Sequence, residues 1–147
     1  MAGASVTPLA RKLGIEGDIV FTVVGAPAGF TELLGDIGDA VWQRSLLAPL
    51  DAVVGFFTLR SKLLASWPKL TEPLTPEGGM WVVWPKAGSG VRTDIDEPGL
   101  KKQLGKLGWV DDKVCGVDDT WTALRFVLRT ELRPGAKAGK RPGDKKR

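Results

Sequence analysis

The residue types best suited to chemistry gather in one Gly-rich polar loop, Pro85-Lys86-Ala87-Gly88-Ser89-Gly90-Val91-Arg92-Thr93-Asp94, directly after the apolar run Met80-Trp81-Val82-Val83-Trp84. Lys86, Ser89, Gly90, Thr93 and Asp94 put a cation, hydroxyls, accessible backbone and an acid in one place. In open α/β sheets, ligands bind beyond the carboxyl ends of the strands, so this loop is a candidate binding site. Lys86 and Arg92 suit an anionic ligand; the same letters also serve a solvated turn. A second candidate is Gly25-Ala26-Pro27-Ala28-Gly29, where backbone N–H groups near Gly25 and Gly29 can meet a phosphate or carboxylate at the start of a helix. Pro27 removes one of those donors, and Gly-x-x-x-Gly is neither a dinucleotide fingerprint nor a P-loop. A tight turn built from small residues for packing is the favoured explanation. Further on, Trp121 offers a stacking face and Arg125 a charge, together able to wall a pocket. Asp118 and Asp119 invite a reading as paired carboxylates, although adjacent residues in a turn usually diverge and Asp is itself a turn former.

What is missing excludes more. The sequence has no His, which removes His general-base catalysis, His-activated Ser or Cys nucleophiles and His metal ligation. No metal site is expected. Cys115, the single cysteine, lies in an expected strand and reads as a small buried hydrophobe. Residues 1–132 carry 14 Lys and Arg against 16 Asp and Glu, whereas 133–147 carry 7 against the single acid Asp144. The net charge of +4 therefore arises in the tail. That tail is rich in Gly, Pro and Lys, is expected to be disordered, and can make weak non-specific contact with polyanions; it has no aromatic residue to stack on bases. No apolar run approaches the roughly 20 residues of a membrane helix. The start Met1-Ala2-Gly3-Ala4-Ser5 lacks the features of a signal peptide, so a cytoplasmic protein is expected.

The elements that must position these residues can be read from periodicity. Thr7-Pro8 starts a short helix through Leu13. Ile19 to Val24 is apolar on both faces, as a central parallel strand is, and leads through the Gly25 loop into a helix carrying Phe30, Leu33, Leu34 and Ile37 on one face. Val41 to Arg44 is a short strand, followed by too few residues for an ordinary parallel crossover. Asp51 to Phe57 is a buried strand; Ser61 caps a helix through Leu63, Leu64 and Trp67 that Pro68 interrupts. Pro73, Pro76 and Gly78-Gly79 turn the chain into Met80 to Trp84. Asp96 caps a helix with Leu100, Leu104 and Leu107 on one face, ended by Gly108. Lys113 to Val117 and Thr122 to Thr130 form an antiparallel hairpin, the second strand with one core face and one partly solvated face.

This order of elements resembles the class I methyltransferase variant of the doubly wound fold. Leu50 to Val54, a helix, and then Leu74-Thr75-Pro76-Glu77-Gly78-Gly79-Met80-Trp81-Val82 look like that family's fourth strand, helix and "Pro-x-Gly-Gly" fifth strand. In those enzymes the first strand ends in an acid and a Gly-x-Gly loop, and an acid ending the second strand holds the ribose. Val23 to Gly29 contains no acid, and Ser45 is no carboxylate, so the resemblance implies an altered cofactor site. More specifically, Thr7-Pro8-Leu9-Ala10-x-Lys12-Leu13-Gly14-Ile15, Gly25-Ala26-Pro27-Ala28-Gly29-Phe30, Trp84-Pro85-Lys86-x-x-Ser89-Gly90 and Val117-Asp118-x-Thr120-Trp121-x-x-Leu124-Arg125-Phe126 resemble the small bacterial family termed domain of unknown function 3052.

The expectation is one α/β domain over residues 1–132, Rossmann-like and methyltransferase-like, with a mostly parallel central sheet, a C-terminal antiparallel hairpin and helices on both faces. The residues name neither a cofactor nor an oligomeric state. Three functions fit: binding of a small anionic or nucleotide-like ligand without catalysis, group transfer from a nucleotide cofactor bound in an altered mode, or protein interaction through a fold that has lost its pocket. An open crevice at the strand ends lined by Lys86, Ser89, Asp118 and Arg125 favours the first two, and one filled by Trp or Phe side chains counts against both.

Overall fold

The computed structural model describes residues 8–134. Its frame is a six-stranded sheet: β1 (Val20–Val24), β2 (Val41–Trp42), β3 (Leu50–Phe56), β4 (Leu74–Pro85), β5 (Trp109–Gly116) and β6 (Trp121–Leu128), in the spatial order β2-β1-β3-β4-β6-β5. β1 to β4 pair in parallel, and β6 pairs antiparallel with both β4 and β5. β6 is thus the one strand running against the rest. The expected α/β fold with a terminal hairpin is what the chain adopts.

Helices cover both faces because the strands are apolar on both. On one side α1 (Leu9–Lys12) and α2 (Phe30–Leu34) pack with Phe21, Val54, Trp81 and Val83. There the Trp81 indole N–H donates to the carbonyl of Leu13 at 2.9 Å, so the buried Trp finds the polar partner it needs. On the other side α3 (Arg60–Thr71) and α4 (Glu97–Gly105) lay Leu63, Trp67, Leu70, Leu100 and Leu104 against Val53, Met80, Val82, Leu124 and Phe126. Each such buried side chain contributes roughly 1.5–3 kcal/mol of apolar transfer. Trp81 and Trp84 face opposite cores, as strand alternation requires.

Several local expectations need correction. α3 runs through Pro68 without a break, because Leu63, Trp67 and Leu70 on both sides of it are buried, and that burial outweighs the one backbone donor a proline lacks. Its N-cap is Leu59, not Ser61; α1 has Pro8 at its N-cap rather than Pro8 at its first turn. α2 stops at Leu34, since Gly35 adopts a φ of 80°, leaving Leu33 exposed. α4 ends at Gly105 instead of Gly108, and Leu107 is exposed. β2 is only two residues long, and residues 43–49 return to β3 without a helix, so both the short strand and the abbreviated connection are real. β4 begins at Leu74, not Met80: Leu50 pairs with Leu74 ahead of a register shift. The hairpin strands start four and one residues earlier than Lys113 and Thr122. β6 keeps the expected partly solvated face, with Trp121 and Arg125 half-buried on it and Arg129 exposed just past the strand, although Val127 on the same face is buried.

The expectation for the tail lies beyond Pro134, outside the described residues. Arg133, placed in that tail by its composition, belongs to the fold, since its Nε donates to the carbonyl of Leu128 at 2.9 Å. Among the described residues, no helix is long and apolar enough to cross a membrane.

Candidate functional site

The chain passes from β1 outward to β2 and then crosses to β3, so the topological switch point lies between β1 and β3. That is where an open α/β sheet usually offers its crevice. Here the crevice is filled by Phe and Trp side chains, the outcome that counts against ligand binding or group transfer at the switch point and favours protein interaction there. The Phe30 ring stands edge-on to Phe56 at 5.0 Å between centroids, and Phe56 stands edge-on to Trp121 at 5.2 Å. This T-shaped arrangement suits the aromatic quadrupoles. What remains is a cavity of about 160 Å³ touching Gly29, Asp118 and Trp121, below the roughly 300–1,000 Å³ of ordinary ligand pockets.

The backbone of the Gly25 loop is set by packing as well. Gly25 has a φ of 73°, and a Cβ there would sit 3.1 Å from the carbonyl oxygen of Phe56. Close approach of the β1 loop to the end of β3 therefore requires glycine, with no ligand invoked. Gly29 is the left-handed N-cap of α2, a helix of five residues. Asp118 acts as a turn former: its Oδ1 accepts the backbone N–H groups of Thr120 and Trp121, each at 2.8 Å. At the outer end of this row, the Arg44 guanidinium lies 4.0 Å from the centre of the Trp42 ring, so a cation–π pair occupies the end of β2.

The open space lies one strand further along. Beside the carboxyl end of β4, a notch of about 570 Å³ is lined by Trp84, Pro85, Lys86, Thr93, Asp94, Ile95, Asp96, Glu97 and Thr122 among others. Its walls are held by specific bonds. Thr93 donates from its hydroxyl to the carbonyl of Thr58 at 2.7 Å, and the same oxygen accepts the Ile95 N–H at 3.0 Å. Asp94 Oδ1 accepts the Arg60 N–H at 2.7 Å, which satisfies one of the unpaired donors at the start of α3. Asp96 caps α4 by accepting the Gly99 N–H at 2.8 Å. Both carboxylates thus join the 86–96 loop to a helix start and still keep lone pairs for a ligand. The Lys86 ammonium makes no ion pair among the described residues. Trp84, Pro85 and Ile95 supply an apolar wall, while Asp94, Asp96 and Glu97 outnumber Lys86 by three to one.

Of the residues expected to share a site, the structure brings together Lys86, Thr93 and Asp94. Ser89 and Gly90 stay outside the notch: Ser89 Oγ accepts the Val91 N–H at 3.3 Å within its own turn, and Gly90 has a φ of 88°. Gly29, Asp118 and Trp121 meet at the small cavity, and Gly25 packs against β3. Trp121 and Arg125 do not wall one pocket. Four residues along a strand separate them by roughly 13 Å, and Arg125 lies toward the amino end of β4, paired with Trp81 and beside Gly79. Sequence reasoning missed Trp84, Asp96, Glu97 and Thr122. Trp84 and Thr122 are direct cross-strand partners, a relation visible only once the hairpin is docked.

No family model matches the chain, and no curated protein matches it. Solved structures do match. A complex of DhpI with SAH is 16% identical, with a TM-score of 0.56 over 87% of this chain and 85% of that one. The fold is methyltransferase-like. N-methyltransferase NodS from Bradyrhizobium japonicum WM9, in complex with S-adenosyl-L-homocysteine, gives 13% identity and a TM-score of 0.55 over 82% and 83% of the two chains. An O-methyltransferase from neocarzinostatin biosynthesis, in complex with S-adenosylmethionine and 2-hydroxy-5-methyl naphthoic acid, gives 12% and 0.56 over 85% of this chain and 51% of that one.

Proposed function

We propose that this chain binds a small nucleoside-like ligand carrying at most one anionic group, in the notch at the carboxyl end of β4. The observation that carries the reading is the contrast in space: a notch of about 570 Å³ beside β4, and only about 160 Å³ at the switch point. The notch chemistry supports the ligand class. Trp84, Pro85 and Ile95 provide an apolar wall for a base, and the Asp94 and Asp96 carboxylates accept hydrogen bonds from sugar hydroxyls. Lys86, the one cation in the lining, answers a single anionic group; Asp94 and Asp96, beside a Glu97 that is already paired with Lys101, disfavour a polyphosphate. The S-adenosyl ligands of the similar folds are nucleoside-like too, and S-adenosylmethionine adds a sulfonium cation that suits an acid-rich lining.

Among the described residues no nucleophile paired with a base lines the notch, and one oxygen of each of Asp94 and Asp96 is committed to a backbone N–H group. Binding without covalent chemistry is therefore the function proposed, in a cytoplasmic setting. Thermal unfolding of the full chain with adenosine, adenosine monophosphate, adenosine triphosphate and S-adenosylmethionine tests it. At about a hundredfold excess over Kd, a ligand selective for the native state adds about 2.7 kcal/mol, a rise of several degrees for a chain of this size. Stabilisation by adenosine or its monophosphate, weaker for the triphosphate and lost in Lys86→Glu for the monophosphate, is the expected pattern. No response to any of the four contradicts the reading and favours a protein-interaction role.

A further inference from the structure

At the opposite end of the sheet, where β3 and β4 begin, a second cavity of about 260 Å³ is lined by Gly14, Asp51, Thr75, Glu77, Lys113 and Arg125, with Leu13 and Ile19 at its edge. Its floor depends on glycine. A Cβ at Gly79 would collide with the guanidinium of Arg125, so the side chain can lie flat on β4 only because this position has none. Ala52 pairs with Gly79 across the strands and keeps the adjoining floor shallow.

The polar groups are arranged in two opposite signs. Arg125 Nη1 donates to Asp112 Oδ2 at 2.6 Å, its only partner among the described residues. The Nε–Nη2 edge is left, and that edge presents two parallel N–H groups with the spacing of a carboxylate. Lys113 is the direct cross-strand neighbour of Arg125 and adds a second cation. Against them stand Asp51 and Glu77. Asp51 Oδ2 accepts the Val20 N–H at 2.9 Å, which fixes its carboxylate at the cavity, and Glu77 forms no ion pair among the described residues. Two cations and two acids line a space too small for a nucleoside-sized ligand.

From this arrangement we infer that the amino-end cavity binds a small zwitterion of the α-amino-acid type, its carboxylate on the free edge of Arg125 and its ammonium facing Glu77 and Asp51. A site balanced in this way discriminates against a simple anion, which meets two carboxylates, and against a simple amine, which meets Arg125 and Lys113. The site is distinct from the notch at the other end of β4, and neither depends on the other.

The test is a titration of the full chain with glycine, alanine and glutamate, each to concentrations on the order of 10 mM, followed through the arginine Nε–H signals in nitrogen-edited NMR spectra. Acetate, methylamine and inorganic phosphate serve as comparison probes. The Arg125 Nε–H signal is expected to shift saturably with an amino acid, and acetate to bind at least about tenfold more weakly. Arg125→Lys keeps the charge, loses the fork and should weaken amino-acid binding about tenfold or more. Glu77→Gln, an exposed position that leaves folding intact, should weaken amino-acid binding and not acetate binding. The inference fails if no amino acid moves the Arg125 signal, if acetate or phosphate binds as tightly as the amino acids, or if Glu77→Gln changes nothing.

Discussion

The crevice between β1 and β3 and the notch beside β4 lie at the same end of one sheet, yet the first is filled and the second is open. Both begin with a buried strand that delivers a Gly-containing loop. The paths of the two loops differ. The β1 loop, Gly25 to Gly29, lies close enough to β3 that Gly25 meets the Phe56 backbone, and Phe30, Phe56 and Trp121 close over the gap. The β4 loop is tied instead to the segment that follows β3, by Thr93 on Thr58 and Asp94 on Arg60, and a notch stays open beside it. A Gly-rich loop after a strand therefore marks a candidate site, and the side chains at the neighbouring strand end decide whether space is left.

The largest effect should come from the filled side. Phe56→Ala removes the central ring of the aromatic row and should cost about 3–5 kcal/mol, read from urea unfolding; a cost under about 1 kcal/mol would mean that the crevice is loosely packed. Gly25→Val, with its positive φ and its Cβ against Phe56, should cost about 1–3 kcal/mol while leaving adenosine affinity unchanged. If adenosine binding is lost from a variant that still folds, the ligand belongs in the crevice and not in the notch. On the open side, Asp94→Ala removes an acceptor for the start of α3 and should cost about 1 kcal/mol, together with a several-fold loss of adenosine affinity.

A smaller effect tests how closed the filled face is. Cys115 sits there beside Ala123, and burial raises its thiol pKa above the ordinary 9.0, with Lys12 opposing weakly. A raised pKa in the folded state means stability present below pH 9.0 and lost as pH climbs toward the folded value. Wild type should therefore lose slightly more stability than Cys115→Ala between neutral pH and the alkaline side of that value. Parallel curves for the two proteins would show the thiol to be accessible.

Much of this is legible in the residues. The strand-loop-helix order, the two-faced apolar strands and the final hairpin are local patterns of sign and spacing, and they lead to the correct fold class. Asp96 announces itself as a cap because its partner is three residues away. Lys86, Thr93 and Asp94 can be chosen because the loop that carries them is continuous. The rest depends on contacts distant in sequence. Nothing local says that Thr122 will face Trp84, that Asp94 will accept from Arg60, or that Arg125 will lie over Gly79 at the far end of the sheet. Pro68 reads as a break because its local cost is plain, whereas the burial of Trp67 and Leu70 that offsets it arises only in the packed structure.

The notch is tested most directly by following backbone N–H signals of the full chain in nitrogen-edited NMR spectra during titration with adenosine. Saturable shifts confined to the signals of Lys86, Thr93, Asp94, Asp96 and Thr122 are expected, with Gly25, Gly29 and Phe30 unmoved. Shifts centred on Gly25 to Phe30, or no saturable shift at all, would contradict a ligand site at the end of β4.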